Sequence, residues 1–385
     1  MSDLHIGVIG AGGRGGLAAH AHKPEEGSRI VACCDTDENE LTRCQERYGS
    51  DIFTTADYHA ILAQELDAIF ISTPDFLHEE MALAALEAGF PIYLEKPMAI
   101  TIAGCDQILE TAVRTQGKLY LGHNMRHMAF VLKMKDLIDQ GAIGEVKAGW
   151  CRHFVGHGGD FYFKDWHADR RLSTGMLLQK ATHDIDVMHW LCSGYSELVN
   201  ALGALTVYGE ITSRADKPIP RPKHNLENWP PLSQTDLYPV VDIEDLSMMN
   251  MRLDNGVHLS YQQCHYTPDY WRNYTFIGTE GRLENFGNGE EGTVIKIWNK
   301  RRNGYDSEAD ITIPVEPEKG GHGGADPKIV QEFLDFVRGK VKPSTSPVAA
   351  RYSVAAGCAG TESLRNGGQP ISIEPLQPNV VNYFR

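Results

Sequence analysis

The sequence predicts an α/β fold in two parts, a parallel sheet with crossover helices followed by an α+β half whose strands run antiparallel. Three observations carry the prediction. From Leu4 to about Asn124 short apolar runs alternate with helix-length amphipathic segments, the pattern of buried strands joined by helices. A glycine-rich hexad, Gly10-Ala11-Gly12-Gly13-Arg14-Gly15, stands directly behind the first run. Beyond Gly144 strand candidates follow one another, as in antiparallel sheets.

Taken in order, residues 4–9, 29–35, 66–73, 91–95 and 118–122 read as strands, rich in Val, Ile, Leu, Phe and Tyr and bounded by Gly, Pro or Asp. Helices fill the intervals: one from about Leu17, one ending at Gly49, and two over 77–89 and 102–117, the last three closing on a glycine suited to a left-handed helix end. In the second half, 248–253, 257–264, 274–277 and 294–298 form a meander. Asn255-Gly256 suits a type I′ hairpin turn, and one helix over 177–191 packs on a face of the sheet. Prolines at 218, 220, 222, 230, 231 and 239 deny regular structure to 210–241, which reads as an arm or lid. The chain has 385 residues, and roughly 150 residues per domain makes two domains the expectation. They divide as 1–124 and 125–385.

Hydrophobic residues are 42% and charged residues 23% of the chain, ordinary globular usage that excludes wholesale disorder and leaves a sizeable core. Lys and Arg sum to 36 against 51 for Asp and Glu, a formal net charge of −15 and the wrong sign for a nucleic-acid partner. The start, Met1-Ser2-Asp3-Leu4-His5, has no basic segment before its apolar stretch. No later run approaches the roughly 20 apolar residues that span a bilayer. The eight cysteines are scattered, with Cys33 and Cys34 adjacent and no Cys-x-x-Cys pair. That usage fits free thiols in a reducing cytoplasm and a soluble chain without a membrane partner.

The hexad Gly10 to Gly15 is a G-x-G-x-x-G between a strand and a helix. Gly10, Gly12, Gly13 and Gly15 let the backbone turn tightly and approach a pyrophosphate, whose charge then sits on free N–H groups at the positive end of the helix. Asp35 ends the second strand, twenty residues beyond Gly15, where a carboxylate accepts hydrogen bonds from ribose hydroxyls. Thr36 and Asp37 follow it, with no arginine. A 2′-phosphate would meet negative charge there, so the cofactor is read as NAD rather than NADP.

The run over 66–73 leads into Thr73-Pro74-Asp75 with His78 behind it, and the run over 91–95 into Glu95-Lys96-Pro97. Further on stand Asn124 with Arg126 and Gly144-Glu145-Val146. With the hexad, these segments resemble the glucose-fructose oxidoreductase, inositol dehydrogenase and rhizopine-catabolism (Gfo/Idh/MocA) family. The resemblance runs across nearly the whole chain and is weakest in the proline-rich arm. It implies an N-terminal Rossmann domain with a doubly wound parallel sheet, and a C-terminal domain with an open-faced antiparallel sheet used to form a homodimer or homotetramer. NAD(P) and a sugar or polyol would meet between the two. It also implies that Arg14, Thr73, Pro74, His78, Glu95 and Asn124 join the glycines and Asp35 at the cofactor, and that Arg126 serves the substrate. Lys96 then assists proton transfer at the carbon exchanging hydride with the nicotinamide. A lysine at the carboxyl end of a parallel strand lies in the ligand crevice, where burial and neighbours tune it for that task.

A second catalytic segment, Gln179-Lys180-Ala181-Thr182-His183-Asp184-Ile185-Asp186, reads as helix and puts Gln179, His183 and Asp186 on one face by their i, i+4, i+7 spacing. In the family this histidine acts as acid or base on the substrate hydroxyl, with an aspartate four residues before it. Here His183 matches and Gln179 replaces the aspartate. Upstream, Trp166-His167-Ala168-Asp169 resembles a Trp-Arg-x-Asp segment of the substrate pocket, with His167 in the arginine's place. Trp166, His167, Gln179, Lys180 and His183 are thus the expected substrate contacts. Between Arg152 and His183 five Lys and Arg face three Asp, which points either to an anionic sugar or to ion pairs with the interleaved aspartates. Histidine spacings such as His123 with His127 bring no three-ligand set together, so no metal is expected.

The resulting expectation is an NAD-dependent sugar or polyol dehydrogenase. A second reading stays open, an NAD-recycling glycosidase in which transient oxidation acidifies a C–H bond, elimination expels the aglycone, water adds and the hydride returns. It needs an extra base, for which His153, His157, Tyr162 and His167 are candidates.

Overall fold

The computed structural model describes residues 3–219 and 223–385. Met1, Ser2 and the prolines at 220 and 222 lie outside them. In the first unit, six strands form one parallel sheet in the order β3-β2-β1-β4-β5-β6. They are β1 (Leu4–Ile9), β2 (Ser28–Cys34), β3 (Phe53–Thr55), β4 (Ala68–Ile71), β5 (Ile92–Leu94) and β6 (Leu119–Leu121). Every residue of β4, β5 and β6 is buried, as follows when helices cover both faces and the strand reads as an unbroken apolar run. Strand order reverses between β1 and β4, and the crevice at such a switch point is where ligands of doubly wound sheets bind.

The first helix is a 3₁₀ helix over Gly13–Ala21, starting inside the hexad rather than at Leu17. The Ile102–Thr115 helix ends on Gln116 in the left-handed region at φ 53°, so Gly117 is not its cap residue. Strand β3, Phe-Thr-Thr, has no apolar run that would announce it.

The compact units are Met1–His127 with Gly320–Arg351 and Leu376–Arg385, and Met128–Lys319 with Tyr352–Pro375. A division at 124/125 with everything later in the second domain therefore does not describe the chain. The Ala325–Val337 helix returns to the first sheet, and its Ile329, Val330, Phe333 and Leu334 share a core with Phe70, Tyr93 and Tyr120. Phe333 stands edge-on to Phe70 at a ring distance of 5.0 Å.

The second unit holds a nine-stranded sheet in the order β14-β13-β12-β11-β7-β10-β9-β8-β15. Its strands are β7 (Val146–Val155), β8 (Ser196–Ala204), β9 (Leu246–Leu253), β10 (His258–Cys264), β11 (Tyr270–Gly278), β12 (Arg282–Phe286), β13 (Val294–Trp298), β14 (Ile311–Pro314) and β15 (Ile371–Ser372). All pairings are antiparallel except β7 with β10, which is parallel. The expected meander is thus interrupted, because β7 inserts between β10 and β11. Register follows: Cys151 lies between Tyr261 and Tyr274, and His153 between Gln263 and Arg272. These six side chains line two adjacent rows of one sheet face.

Three local expectations change. Gly256 alone of the 255–256 pair has positive φ, +84°, and its N–H donates to the Leu253 carbonyl at 2.9 Å. The turn is a three-residue loop with a left-handed glycine, not type I′. The helix expected over 177–191 is two helices, Met176–Gln179 and Thr182–Cys192. The Ala181 N–H reaches back five residues to the Met176 carbonyl at 3.0 Å, so Gln179 does not share a continuous helical face with His183 and Asp186. The described residues of the 210–241 arm fold onto their own unit. The buried carboxylate of Asp160 accepts from Asn228 Nδ2 at 2.6 Å, Gln234 Nε2 at 2.9 Å, His224 Nδ1 at 3.0 Å and the Asn225 N–H at 3.3 Å.

No helix among the described residues is long and apolar enough to cross a membrane. None of the eight cysteines forms a disulfide.

Candidate active site

In the first unit the hexad forms a cradle that only glycine permits. Gly10 has φ +82°, and a Cβ there would lie 2.8 Å from the backbone of Ser72 and Thr73. A Cβ on Gly15 would lie 1.9 Å from the Gly10 carbonyl oxygen. Gly13, at φ +50°, faces open space. Asp35 buttresses the loop, its Oδ2 accepting from the Gly12 N–H at 2.9 Å and its Oδ1 from the Asp37 N–H at 3.0 Å. Beside the cradle the buried hydroxyls of Ser72 and Thr73 have no protein hydrogen-bond partner. Buried polar atoms are rarely left so, and a dinucleotide laid across the switch point offers the missing partners. The residues present fit NAD.

The loop makes two of its glycines separable by experiment. Gly15→Ala is expected to cost about 1–3 kcal/mol of stability through overpacking and to remove NAD binding by calorimetry. Gly16→Ala, whose Cβ meets nothing within 4 Å, should leave both unchanged.

Around Lys96 the side chains form a charged chain. Lys96 follows β5 and precedes a cis peptide bond to Pro97. Glu95 Oε2 accepts from the Lys96 N–H at 3.0 Å, and Glu95 Oε1 from Arg14 Nε at 2.6 Å. Arg14 Nη1 donates to Asp326 Oδ2 at 2.8 Å, and Asn124 Nδ2 to Asp326 Oδ1 at 3.2 Å. Burial pushes the Glu95 carboxyl up, but the charges of Arg14 and Lys96 outweigh it and hold the group below its ordinary value. Asp326 likewise is raised by burial and held low overall by hydrogen bonds from His322 and Arg14. The Arg14 guanidinium, part of the dinucleotide loop, thus braces the strand end that carries Lys96.

Two expected contacts have other partners. His78 is fully buried, its Nδ1 2.7 Å from the Pro97 carbonyl and its Nε2 2.9 Å from the Thr73 carbonyl. It staples the Thr73-Pro74 turn to the segment behind Lys96 and holds both rather than presenting itself to a cofactor. Arg126 is buried and donates from Nη1 to the Ser344 carbonyl at 3.1 Å.

In the second unit the centre is Asp184, a residue the sequence reading passed over in favour of Asp186. Its buried carboxylate meets Arg272 Nε at 2.9 Å, His153 Nδ1 at 3.1 Å and Tyr261 Oη at 3.2 Å, and accepts from the Tyr274 hydroxyl. Burial raises Asp184, and Arg272 and His153 more than reverse that. His153 is pushed down to about 3 by burial first and by the Arg272 charge second, against the pull of Asp184. The result is an aspartate–arginine ion pair beside a neutral imidazole.

In the same unit Lys180 Nζ donates to the Tyr162 hydroxyl at 2.7 Å and lies 5.1 Å and 5.8 Å from the Tyr162 and Tyr270 rings. His157 is pushed down to about 4 by burial and then by the Lys180 charge. His167 stacks on Trp166 at 3.8 Å, meets the Tyr162 edge at 5.3 Å and pairs with Asp165. Trp166, His167 and Lys180 are therefore brought together around Tyr162. Gln179 is buried next to Lys180, and His183 stands half-buried in the first turn of the following helix. A lysine amine on a phenol edged by imidazoles is a set of groups able to exchange protons. Of the basic residues between 152 and 183, Arg152 pairs with Glu284, Arg170 with Asp242 and Arg171 with Asp169, so much of the local charge is taken up inside the fold. Asp184, Arg272, Tyr261 and Tyr274 were legible only through register, since nothing in sequence aligns β7, β10 and β11.

Comparison with known proteins gives two family matches that together cover most of the chain. Residues 4–123 match the oxidoreductase family NAD-binding Rossmann fold, and 135–373 match the oxidoreductase family C-terminal alpha/beta domain. The Bacillus subtilis protein YteT, an oxidoreductase by name, is 27% identical over 88% of this chain and 87% of its own. Inositol 2-dehydrogenase of Pseudomonas fluorescens is 31% identical over 49% of this chain, which spans 54% of that enzyme. A glycosyl hydrolase family 109 protein of Shewanella baltica is 29% identical over 44% of this chain and 41% of its own. Among solved structures, the WlbA dehydrogenase from Chromobacterium, in complex with NADH and UDP-GlcNAcA, superposes with a TM-score of 0.74 at 20% identity over 97% of both chains.

Proposed function

Since the chain belongs to the Gfo/Idh/MocA oxidoreductase family and its N-terminal domain binds NAD, we propose that it moves a hydride between NAD and a carbon of a sugar or polyol. The observation that carries this reading is Lys96, held at the carboxyl end of β5 by the Glu95–Arg14–Asp326 chain. Bound NAD supplies the hydride acceptor. Lys96, a cation beside Glu95 at rest, acts in this step after giving up its own proton to solvent. It takes the proton of the substrate hydroxyl as the carbon–hydrogen bond breaks, and the O–H electron pair becomes the second bond of the carbonyl. Gly10, Gly12, Gly13 and Gly15 hold the pyrophosphate, Asp35 a ribose, and Thr73 and Asn124 the crevice between. In the second unit His183 is the alternative acid or base for that proton, and Trp166, His167, Gln179 and Lys180 are the proposed sugar contacts. Pairing of Arg152, Arg170 and Arg171 with carboxylates favours a neutral sugar over an anionic one. The inositol 2-dehydrogenase relative supports a polyol or sugar substrate. Free thiols fit work in a reducing cytoplasm. Leu202 and Met248, exposed and paired across β8 and β9, support assembly of two or four copies through the open sheet face.

The Tyr162–Lys180 pair favours one second reading, the NAD-recycling glycosidase, because it supplies the extra base that elimination requires; the glycosyl hydrolase relative points the same way. Incubation with NAD and matched sets of free sugars, polyols and aryl glycosides separates the two. NADH equal to the sugar oxidised supports the dehydrogenase. NAD-dependent aglycone release without NADH supports the glycosidase. No turnover of any member of the panel would contradict both.

A further inference from the structure

The segment Gly320-Gly321-His322-Gly323-Gly324 leads into the helix that returns to the first sheet. Four of its five residues have positive φ: Gly320 at +118°, His322 at +50°, Gly323 at +59° and Gly324 at +80°. Gly321 is needed for another reason, since a Cβ there would lie 2.2 Å from Asp326 Oδ2. Glycine adopts this backbone at no steric cost, whereas a histidine pays for it. One side chain is thus retained at a strained position in a loop otherwise made of glycine, and such positions gather at ligand sites.

The contacts of that side chain place it. His322 Nδ1 lies 3.0 Å from Asp326 Oδ2 and 3.2 Å from Arg14 Nη1. Arg14 springs from the hexad behind β1 and reaches Glu95 at the end of β5, and β4 lies between those strands. The imidazole therefore stands where the β1, β4 and β5 ends meet the crevice. Asp35, at the end of β2, marks the adenosine side, so the strands on the other side of β1 face the rest of the dinucleotide. Asp326 is itself fixed by Arg14 and Asn124. A carboxylate on Nδ1 sets the ring so that Nε2 is the nitrogen offered to a ligand. The His322 side chain is half exposed.

We infer that His322 is a cofactor-binding residue, its Nε2 accepting a hydrogen bond from a hydroxyl of the nicotinamide-side ribose. The glycine loop is the frame that carries it there, and Arg14 and Asp326 are the positioning residues behind it. This inference stands on NAD binding and is independent of which sugar is turned over.

The test is isothermal titration of the full chain with NAD, ADP-ribose and ADP, comparing wild type with His322→Asn. Asparagine tolerates the left-handed backbone and retains an amide that reaches Asp326, but it lacks an atom at Nε2. Loss of one hydrogen bond of ordinary strength predicts a Kd for NAD and for ADP-ribose about five- to tenfold higher, with ADP unchanged because it has no second ribose. Unchanged affinity for ADP-ribose, or an equal loss for ADP, would overturn the assignment. A circular dichroism melt within about 2 °C of wild type checks that the variant is folded.

Discussion

Lys96→Met is expected to lower kcat by about 10³-fold, within the range for loss of a general acid–base group, while the Kd for NAD changes by less than about twofold. The side chain is replaced by one of similar length that cannot carry a proton. The contacts that hold the strand end do not depend on it: Glu95 keeps Arg14 at 2.6 Å, and the hydrogen bond from residue 96 to Glu95 is made by the backbone N–H at 3.0 Å. Binding and chemistry should therefore separate. Stopped-flow and titration calorimetry on one preparation measure both. A fall in kcat of less than about tenfold, or an equal loss of NAD binding, would show that Lys96 has a different role.

Asp184→Asn is expected to give the largest loss of stability, about 3–5 kcal/mol, because it leaves the buried Arg272 without its counter-charge. It also turns one of the two oxygens that accept from the Tyr274 and Tyr261 hydroxyls into an amide NH2. The double variant Asp184→Asn with Arg272→Met should recover a part of the loss, since the unpaired cation is gone. Urea denaturation of the wild type and the two variants measures this.

The same cluster fixes a pH dependence. Asp184 has a depressed value in the folded chain, so its stabilisation is complete above the ordinary carboxylate range and is lost as pH falls toward the folded value. His153, held at about 3, stays neutral while its unfolded counterpart takes up a proton below about 6.5. Both contributions therefore weaken stability on acidification, the histidine from near pH 6.5 downward and the aspartate below about pH 4. A guanidinium melt with a flat midpoint from pH 7 to 4.5 would contradict the assignment of His153 as neutral and buried.

Much of the first unit was legible in sequence, because parallel strands buried on both faces are continuous apolar runs and the hexad has a mechanism that dictates its residues. What escaped notice lacked such a local signal. Strand β3 is Phe-Thr-Thr, too short and too polar to stand out. The Ala325–Val337 helix has an apolar stripe, but a stripe does not say which sheet it covers, so its return to the first unit was invisible. His78 was placed at the cofactor by the family resemblance of the Thr73-Pro74 segment, and a resemblance does not contain the fact that both of its ring nitrogens meet backbone carbonyls. Lys180 and Tyr162 are eighteen positions apart, and Asp184 and Arg272 eighty-eight. Pairings over such distances are set by register and by the break between two short helices, neither of which a periodicity contains.

The most direct test of the account is a single turnover with a sugar or polyol deuterated at the carbon proposed to react, followed by quenching and mass spectrometry of the nicotinamide. Deuterium in the reduced cofactor, absent in Lys96→Met, is the predicted result, and it holds whether the hydride stays there or later returns to a glycoside. Substrate consumed with no deuterium ever appearing on the nicotinamide would contradict hydride transfer at this carbon.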